Sequence, residues 1–299
     1  MRSVIGIGNF DGLHLGHRKL LGELLSIAKK RDLHPVIITY DNHPAQTLHR
    51  RIHPFLLLPP TQKIRQLEQL GIGEVRMLHF DEVLSRTSAE DFLREYMVNP
   101  YHPAVIVMGY DSSFGWQRQG NYSFLQQHQE QYGYELHFVE PVQYQGSVVS
   151  SSLIRERLAL GELEEANSLL AGPYTLYGKV TNGSGIGREL GFPTANLELD
   201  SPYQMVPRSG VYLSRVMLAH GRFFALTNIG CSPTLKHSGV TEIESYILDF
   251  GDQIYGSHIS VELMRYIREE KVFANASELQ DAIRNDLAIA RGLVERLPQ

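Results

Sequence analysis

Two histidines three residues apart close a glycine-rich run near the start of the chain, Gly6-Ile7-Gly8-Asn9-Phe10-Asp11-Gly12-Leu13-His14-Leu15-Gly16-His17. The run reads as a strand entering a tight turn and then a helix. A helix start offers unpaired backbone N–H groups and a partial positive charge, so such a turn suits phosphate. His14 and His17 can face the same way at that entry. Two imidazoles there would donate hydrogen bonds to phosphate oxygens as charge builds in a transition state. Other chemistries compete for the same residues. Gly6-x-Gly8 matches the opening of a dinucleotide fingerprint. However, Asp11 stands where the third glycine belongs, and Asp41 lies further along than the ~20 residues usual for the ribose-binding acid. A two-histidine metal site lacks a third ligand at a recognisable spacing. The bland alternative is a strand–turn–helix with surface histidines. Because 10 of the 13 histidines precede residue 172, the order of the run carries the signal and not the number of imidazoles. The P-loop pattern G-x-x-x-x-G-K-[ST] is absent from the sequence.

A second group, Ser150, Ser151, Ser152 and Arg155, opens a helical pattern. The hydroxyls can cap a helix, and Arg155 can offer a forked donor to phosphate. Alone this is a capped helix. Together, H-x-G-H early and [ST]-[ST]-x-x-x-R late are the two halves of one ATP site in the HxGH nucleotidyltransferases. Between them lies Gly109-Tyr110-Asp111-Ser112-Ser113-Phe114-Gly115, after a strand-like run. Loops at the carboxyl ends of parallel strands are where such sheets bind ligands.

A third group lies past the midpoint. Gly183-Ser184-Gly185-Ile186-Gly187-Arg188-Glu189-Leu190-Gly191-Phe192-Pro193-Thr194-Ala195-Asn196 is a glycine-rich loop ending in P-T-A-N. Glycine backbone can close over phosphates, and Arg188 adds charge. The Thr194 hydroxyl and Asn196 carbonyl are hard oxygen ligands suited to Mg²⁺ or its water shell. An ordinary barrel loop would look similar. Further on, strand alternation puts Glu244 on one face with Tyr246, Leu248 and Phe250. An inward carboxylate among apolar side chains has a raised pKa and can act as a base. Glu242 shares that face, so periodicity does not choose between the two, and an exposed strand glutamate is the plain alternative.

The elements that must position these groups come in two textures. Up to about residue 172, strand-like runs (Val4–Ile7, Val36–Tyr40, Glu74–Phe80, Ala104–Met108, Leu136–Val139) alternate with helical patterns. Helices are expected over His17–Arg31, through Ile64, Leu67 and Leu70, and after a Thr87/Glu90 capping box. This alternation predicts a parallel sheet with flanking helices. The stretch Leu153–Leu170 reads as a helical join before Gly172-Pro173. Beyond it, Val211–Leu218, Arg222–Ile229, Ile243–Phe250 and Ile259–Met264 are strand-like, and a Ser277/Gln280 capping box opens a closing helix with Leu279, Ile283, Leu287 and Ala290 in a stripe. A small antiparallel barrel with one C-terminal helix is expected. The domains are thus expected at 1–171 and 172–299.

Composition narrows the function. A formal charge of −5 over 299 residues is a poor basis for sequence-independent nucleic-acid binding, which needs surplus cations. One cysteine, Cys231, leaves no intrachain disulfide and no cysteine-rich metal site. No secretory signal precedes Asp11, and no apolar run approaches the ~20 residues that span a bilayer. A cytoplasmic protein without nucleic-acid or membrane partners is expected.

At these residues the sequence resembles the bacterial bifunctional riboflavin kinase/FAD synthetase family, over essentially the whole chain and in order. Gly8 to His17 is similar to that family's adenylyltransferase signature. Thr39-Tyr40-Asp41-Asn42-His43-Pro44 resembles its T-F-x-P-H-P segment, with Asn42 where proline is usual. Gly109 to Gly115, Gln117 to Gly120 and Ser150 to Arg155 match further motifs of the ATP module, with Ser112 where phenylalanine is common and Ser152 where threonine is. Gly187 to Asn196 is similar to the kinase signature, and Asn228 to Thr234, Glu244 to Phe250, Ile254 to Gly256 and Ile267 to Phe273 complete the match.

The resemblance implies two reactions. Riboflavin and ATP give FMN and ADP in the C-terminal module, and FMN and ATP give FAD and pyrophosphate in the Rossmann-like N-terminal module. Glu244, by that likeness, takes the proton of the riboflavin 5′-hydroxyl. Gly185, Gly187, Arg188, Gly191, Pro193, Thr194 and Asn196 hold Mg-ATP, with Mg²⁺ on Thr194 and Asn196. His14 and His17 bind the ATP phosphates during adenylyl transfer, with Gly8, Asn9, Phe10, Asp11, Gly12, Gly16, Asp111, Ser150, Ser151, Ser152 and Arg155 around them. Arg268 and Glu270 lie near the flavin. A monomer or weak homo-oligomer is expected.

Overall fold

The computed structural model describes residues 2–42, 55–183, 185–231 and 241–296. His43 and Pro44 of the first flavin-family motif, and Ser232, Pro233 and Thr234 of a later one, lie outside the described residues. The chain forms two compact units, Met1–Ser151 and Ser152–Gln299.

The first unit is built on a five-stranded parallel sheet: β1 (Ser3–Ile7), β2 (His34–Tyr40), β3 (Glu74–Leu78), β4 (Pro103–Gly109) and β5 (Glu135–Val139), in the spatial order β3-β2-β1-β4-β5. Every residue of β1 is buried, as expected of a central strand covered on both faces. Helix α1 (Leu15–Arg31) follows β1 and buries Leu20, Leu21, Leu24 and Ala28. Their three- and four-residue spacing is what makes a stripe on a helix. Helix α2 (Pro60–Gln69) has proline in its first turn, where a missing N–H costs nothing, and buries Lys63 and Leu67. Ile5, Ile7, Val36, Ile38, Ile106 and Met108 on one side of the sheet share a core with Phe92, Leu93 and Met97. Those three belong to a helical stretch capped at Ser88, whose hydroxyl accepts from the Asp91 N–H at 3.0 Å. The expected Thr87 cap is therefore one residue early. Helix α3 (Tyr122–Tyr132) leads into β5.

The order of the strands places the chemistry. The chain moves outward from β1 through β2 to β3, then returns to the other side of β1 for β4 and β5. The carboxyl ends of β1 and β4 therefore flank the point where the winding reverses, the usual ligand crevice of an open α/β sheet. A small ribbon, β6 (Gln143–Tyr144) with β7 (Ser147–Val148), follows β5.

The second unit carries all but the first residue of helix α4 (Ser151–Leu160), helix α5 (Leu163–Leu170), and a closed antiparallel barrel. Its strands are β8 (Tyr174–Thr181), β9 (Ala195–Leu199), β10 (Gly210–Leu218), β11 (Gly221–Cys231), β12 (Thr241–Ile247) and β13 (His258–Arg268), in the order β10-β11-β12-β9-β8-β13 with β13 pairing back onto β10. The expected barrel is present, and it includes β8 and β9, which the pattern of strand-like runs did not single out. Helix α5 belongs with the barrel because Asn167 ties them together. Its amide donates to the Leu263 carbonyl at 2.9 Å and accepts from the Tyr174 N–H at 2.8 Å.

The barrel lumen is closed by aliphatic side chains and one polar run. Ser214, Thr227 and Ser245 are buried, with Oγ–Oγ1 distances of 2.6 Å and 2.8 Å along the run. The outer face of β10 and β11 is covered by helix α6 (Ala276–Val294): Val211, Leu213 and Leu226 pack with Ala290, Leu287 and Leu293. The helix is capped by Asn275, whose side chain accepts from the Glu278 N–H at 3.0 Å, not by the expected Ser277. Such a cap contributes about 1 kcal/mol.

Candidate active sites

The first site forms in the turn between β1 and α1. His14 is the N-cap of α1, and its Nδ1 accepts from the His17 N–H at 3.3 Å. Because a backbone N–H can only donate, this bond selects the His14 tautomer protonated at Nε2. The two rings stack with centroids 3.7 Å apart and an interplanar angle of 17°. His14 is 6% exposed, whereas His17 is half-buried and its Nδ1 has no hydrogen-bond partner. Burial, then the neighbouring His14, then Lys63, hold the His17 pKa well below its ordinary value. His17 is therefore a neutral imidazole at neutral pH. An orphaned buried ring nitrogen is the kind of group a ligand completes.

The remaining residues of the turn divide between lining and scaffolding. Gly8 lies against the Phe10 ring, and Gly16 against the His14 ring. Gly12 is half-buried in the turn between Asp11 and Leu13. Asn9 presents its carbonyl to Thr39 Oγ1 at 3.0 Å. Phe10 is buried and has φ of 50°. Asp11 is 2% exposed and is a scaffold: its Oδ1 accepts from the N–H groups of Leu57 and Leu58 at 2.9 Å and 3.0 Å. Its carbonyl accepts from Ser151 Oγ at 2.8 Å. Ser150 is half-buried beside Ser151. Ser152 is exposed and Arg155 buried on α4, both in the second unit.

Asp111 follows β4 and is exposed. Its carbonyl accepts from Arg118, which also donates to Ser113 Oγ at 2.7 Å. Of the three departures from the family pattern, Asn42 has a local explanation. Asn42 forms a two-way amide bridge with Phe80, donating to its carbonyl at 2.9 Å and accepting from its N–H at 2.8 Å. This ties the chain beyond β2 to the chain beyond β3, where a proline would have no donor. Ser112 closes a tight turn on Gly109, with its N–H 3.2 Å from the Gly109 carbonyl.

Sequence reasoning missed Lys63. It appeared only as the residue before Ile64 in a helical pattern, yet it is buried, and its Nζ donates to the Asn9 carbonyl, Thr39 Oγ1 and the Tyr40 carbonyl at 2.9, 3.1 and 2.6 Å. The available signal was its four-residue spacing from Leu67, which puts a lysine on an apolar helix face.

The second site forms on the barrel. Glu244 on β12 lies opposite Asn196 on β9 and Asn228 on β11, so all three share a sheet face. Thr194 Oγ1 donates to Glu244 Oε2 at 3.3 Å. The lumen face of β12 is Ile243, Ser245 and Ile247, all buried. Glu244 and Tyr246 thus point outward, and the expectation of an inward carboxylate is corrected. The pKa of Glu244 is nonetheless raised, first by partial burial and then by Glu242, against the Thr194 hydrogen bond that lowers it. Of the two glutamates that periodicity left open, Glu244 is the one joined to Thr194.

The glycine loop explains the burial. A Cβ on Gly183 would run into the Asn196 amide, and one on Gly187 would stand 2.6 Å from the Phe192 carbonyl and 3.2 Å from Thr194 Oγ1. Bare backbone is therefore what lets the loop lie on Thr194 and Asn196. Gly185 precedes the helical turn Ile186–Glu189, and Gly191 closes it by donating to the Arg188 carbonyl at 3.1 Å. Arg188 is exposed and donates to the Tyr255 hydroxyl at 3.0 Å. Pro193 is exposed, while Phe192 packs edge-on to Tyr246 at 5.7 Å.

Two further residues fall elsewhere. The guanidinium of Arg268 forks onto Asp286 of α6, with Nε and Nη2 bonds of 2.9 Å and 2.7 Å, and Asp286 is buried. Glu270 lies over Gly230, whose strand partner is Glu242. Asn228 was quoted only as part of a motif, and its register opposite Glu244 required the barrel to be seen.

Comparison with known proteins matches each part of the chain to a family. The family model for FAD synthetase matches residues 1–153, and that for riboflavin kinase matches residues 170–294. The chain belongs to the bifunctional riboflavin kinase/FMN adenylyltransferase family. It is 35% identical over 291 residues to the bifunctional riboflavin kinase/FMN adenylyltransferase of Bacillus subtilis, covering 95% of this chain and 90% of that one. The Haemophilus influenzae protein of the same description is 33% identical over 287 residues, covering 95% and 92%. Among solved structures, that of a macrolide-efflux protein from Streptococcus pneumoniae superposes with a TM-score of 0.86 at 30% identity, covering 97% of this chain and 94% of that one. Among the described residues here, no helix is long and apolar enough to cross a membrane. As a member of this family, the chain carries the adenylyl-transfer motif on its parallel sheet and the kinase motif on its barrel.

Proposed function

We propose that this chain makes FAD from riboflavin in two ATP-dependent steps, one in each catalytic module, with the modules divided at residues 171 and 172. The observation that carries the reading is that each compact unit holds its own phosphate-type turn: the stacked His14–His17 pair at the end of β1, and the glycine loop over Thr194, Asn196 and Glu244.

In the barrel module the riboflavin 5′-hydroxyl attacks the γ-phosphorus of ATP. The O–P bond forms as the bond to the ADP oxygen breaks, and the hydroxyl proton passes to Glu244. A base with a raised pKa suits that transfer, because its carboxylate takes up a proton more readily than a free glutamate does. Thr194 aims the carboxylate by its hydrogen bond. The hydroxyl of Thr194 and the amide oxygen of Asn196 are hard donors. Among the described residues no group of three or more His, Cys, Asp or Glu side chains is placed to hold a metal. That donor set fits Mg²⁺, which keeps waters and takes phosphate oxygens beside one or two protein ligands. When bound, Mg²⁺ would neutralise charge on the ATP phosphates.

In the sheet module a phosphate oxygen of FMN attacks the α-phosphorus of ATP, and pyrophosphate leaves. No proton transfer is needed at the attacking group, so the work is positioning and charge stabilisation. Neutral His17 donates through one ring nitrogen, and His14, protonated at Nε2, donates through that atom. Ser151 is bonded to the Asp11 carbonyl of the turn, and Ser152 and Arg155 are assigned to the ATP by the family likeness alone. Arg268 and Glu270 are assigned to the flavin side of the barrel on the same basis, Arg268 being oriented by Asp286. The site of action is the cytoplasm, and the chain works as a monomer or weak homo-oligomer without nucleic-acid or membrane partners.

The test is direct. Purified protein with riboflavin, ATP and Mg²⁺ yields FMN and then FAD, resolved by chromatography. Absence of both flavin nucleotides overturns the reading. Formation of FMN without FAD overturns the first site alone.

A further inference from the structure

Lys63 is a buried cation that the two-step reaction does not account for. It is 4% exposed, and burying an ammonium costs stability unless its donors are all met. Here they are met one for one. The three N–H bonds of an ammonium find three acceptors: the Asn9 carbonyl at 2.9 Å, Thr39 Oγ1 at 3.1 Å and the Tyr40 carbonyl at 2.6 Å. Thr39 Oγ1 in turn donates to the Asn9 carbonyl at 3.0 Å. Asn9 is thus held by two donors, one from α2 and one from β2.

The consequence follows from peptide geometry. A trans peptide is planar, with its carbonyl and the following N–H pointing in opposite directions. Drawing the Asn9 carbonyl toward Lys63 therefore turns the Phe10 N–H away from it. Phe10 has φ of 50°, a conformation that non-glycine residues adopt uncommonly and that the surroundings must enforce. The strain and the clamp act on adjoining residues of the turn that carries the H-x-G-H run.

We propose that Lys63 is a positioning residue for adenylyl transfer: by clamping the Asn9 carbonyl it aims the Phe10 N–H at the incoming triphosphate, and it lends the turn a buried positive charge. The proposal rests on the adenylyl-transfer reading of this site. It ties ATP use to the protonation of one lysine. Loss of the proton would leave two donors for three acceptors and release the clamp. Among the described residues, the charged and titratable groups facing Lys63 are Asp11 in the turn, Asp41 beyond β2 and His17 on α1. Burial lowers its pKa to about 8, with Asp11 and Asp41 opposing that shift. A bound triphosphate favours the ammonium, so deprotonation opposes ATP binding.

The intact chain tests this with K63M and K63R, assayed for FMN adenylylation and riboflavin phosphorylation across neutral and alkaline pH. In the wild type, kcat/KM for ATP in adenylylation falls as pH rises past about 8, and the kinase reaction shows no such fall. K63M lowers adenylylation by about 10²-fold, the scale of a misplaced or missing oxyanion donor, and its alkaline fall is gone while the kinase rate is kept. K63R keeps the charge and also lacks the alkaline fall, because a guanidinium does not titrate there. Wild-type adenylylation in K63M, or an unchanged alkaline fall in K63M or K63R, overturns the proposal. If circular dichroism shows K63M to be unfolded, the wild-type and K63R profiles decide: a wild type with no alkaline fall overturns it. Failure of the wild type to make FAD from FMN would instead overturn the reaction assigned to the site.

Discussion

The carboxyl of Glu244 holds its proton more tightly than a free glutamate, because it is partly buried and because Glu242 shares its strand face. Its folded pKa lies above the unfolded value of 4.5, so the stability this group contributes is present in acid and is lost as pH rises through the folded pKa. Glu244→Gln should therefore raise the unfolding temperature of the barrel unit at neutral pH and leave it unchanged in acid, by calorimetry. The same substitution should cost about 10²–10⁴ in kinase rate, while adenylylation of supplied FMN persists. An unchanged kinase rate would remove Glu244 from the role of base. His17 shows the opposite linkage. Its folded pKa lies below the ordinary 6.5, so as pH falls below 6.5 the unfolded chain takes up a proton that the folded chain refuses, and the first unit loses stability. His17→Gln should flatten that acid slope, measured as unfolding temperature against pH. A slope as steep as wild type would mean that other groups set it. Both pairs of candidate residues were legible as types and spacings. What was not legible was direction: alternation placed Glu244 among apolar neighbours but did not tell lumen from exterior, because Ser245 and Thr227 make the lumen partly polar.

Elements explain which glycines matter. The loop from Gly183 to Gly191 lies on the strand end that carries Thr194 and Asn196, and Gly187 is the closest backbone approach whose neighbour is another backbone atom of the loop, the Phe192 carbonyl at 2.6 Å. Overfilling such a contact costs ~1–3 kcal/mol, equivalent to about ten- to a hundredfold in binding. Gly187→Ala should raise the kinase KM for ATP by that order with adenylylation unaffected, and an unaltered KM would show that the loop does not hold ATP. The parallel sheet and the closing helix were readable from periodicity, since Leu20, Leu21, Leu24 and Ala28 repeat at helical spacing and β1, β2 and β4 are apolar runs. Strands β8 and β9 were not singled out. Gly178 interrupts β8, where an added Cβ would meet the Glu198 carbonyl of β9, and a glycine inside a strand marks close approach of another backbone while weakening the strand pattern. The caps at Ser88 and Asn275 were misjudged by one and two residues because several polar side chains in a row could each have served.

At the scale of the whole chain, the two reactions run in series but on separate cores, so a defect in one should accumulate a defined intermediate. His14→Ala or His17→Ala, given riboflavin and ATP, should build up FMN and form no FAD, by chromatography. Loss of both products would point to misfolding of the chain and not to a lost phosphate contact. The presence of a sheet module and a barrel module was readable from the change of texture along the sequence, whereas the attachment of α5 to the barrel depended on one side chain, Asn167, whose partner Leu263 lies far along the sequence. The three hydroxyls inside the barrel have a consequence of their own. A lumen lined only with hydrocarbon would let one strand slide two positions past its neighbour and still present grease to grease. Ser214, Thr227 and Ser245 oppose that slide, because it would part the Thr227 hydroxyl from both of its neighbours across the strand boundaries. They act as notches on a ruler, and the alignment they favour between β11 and β12 is the one that sets Glu244 opposite Asn228.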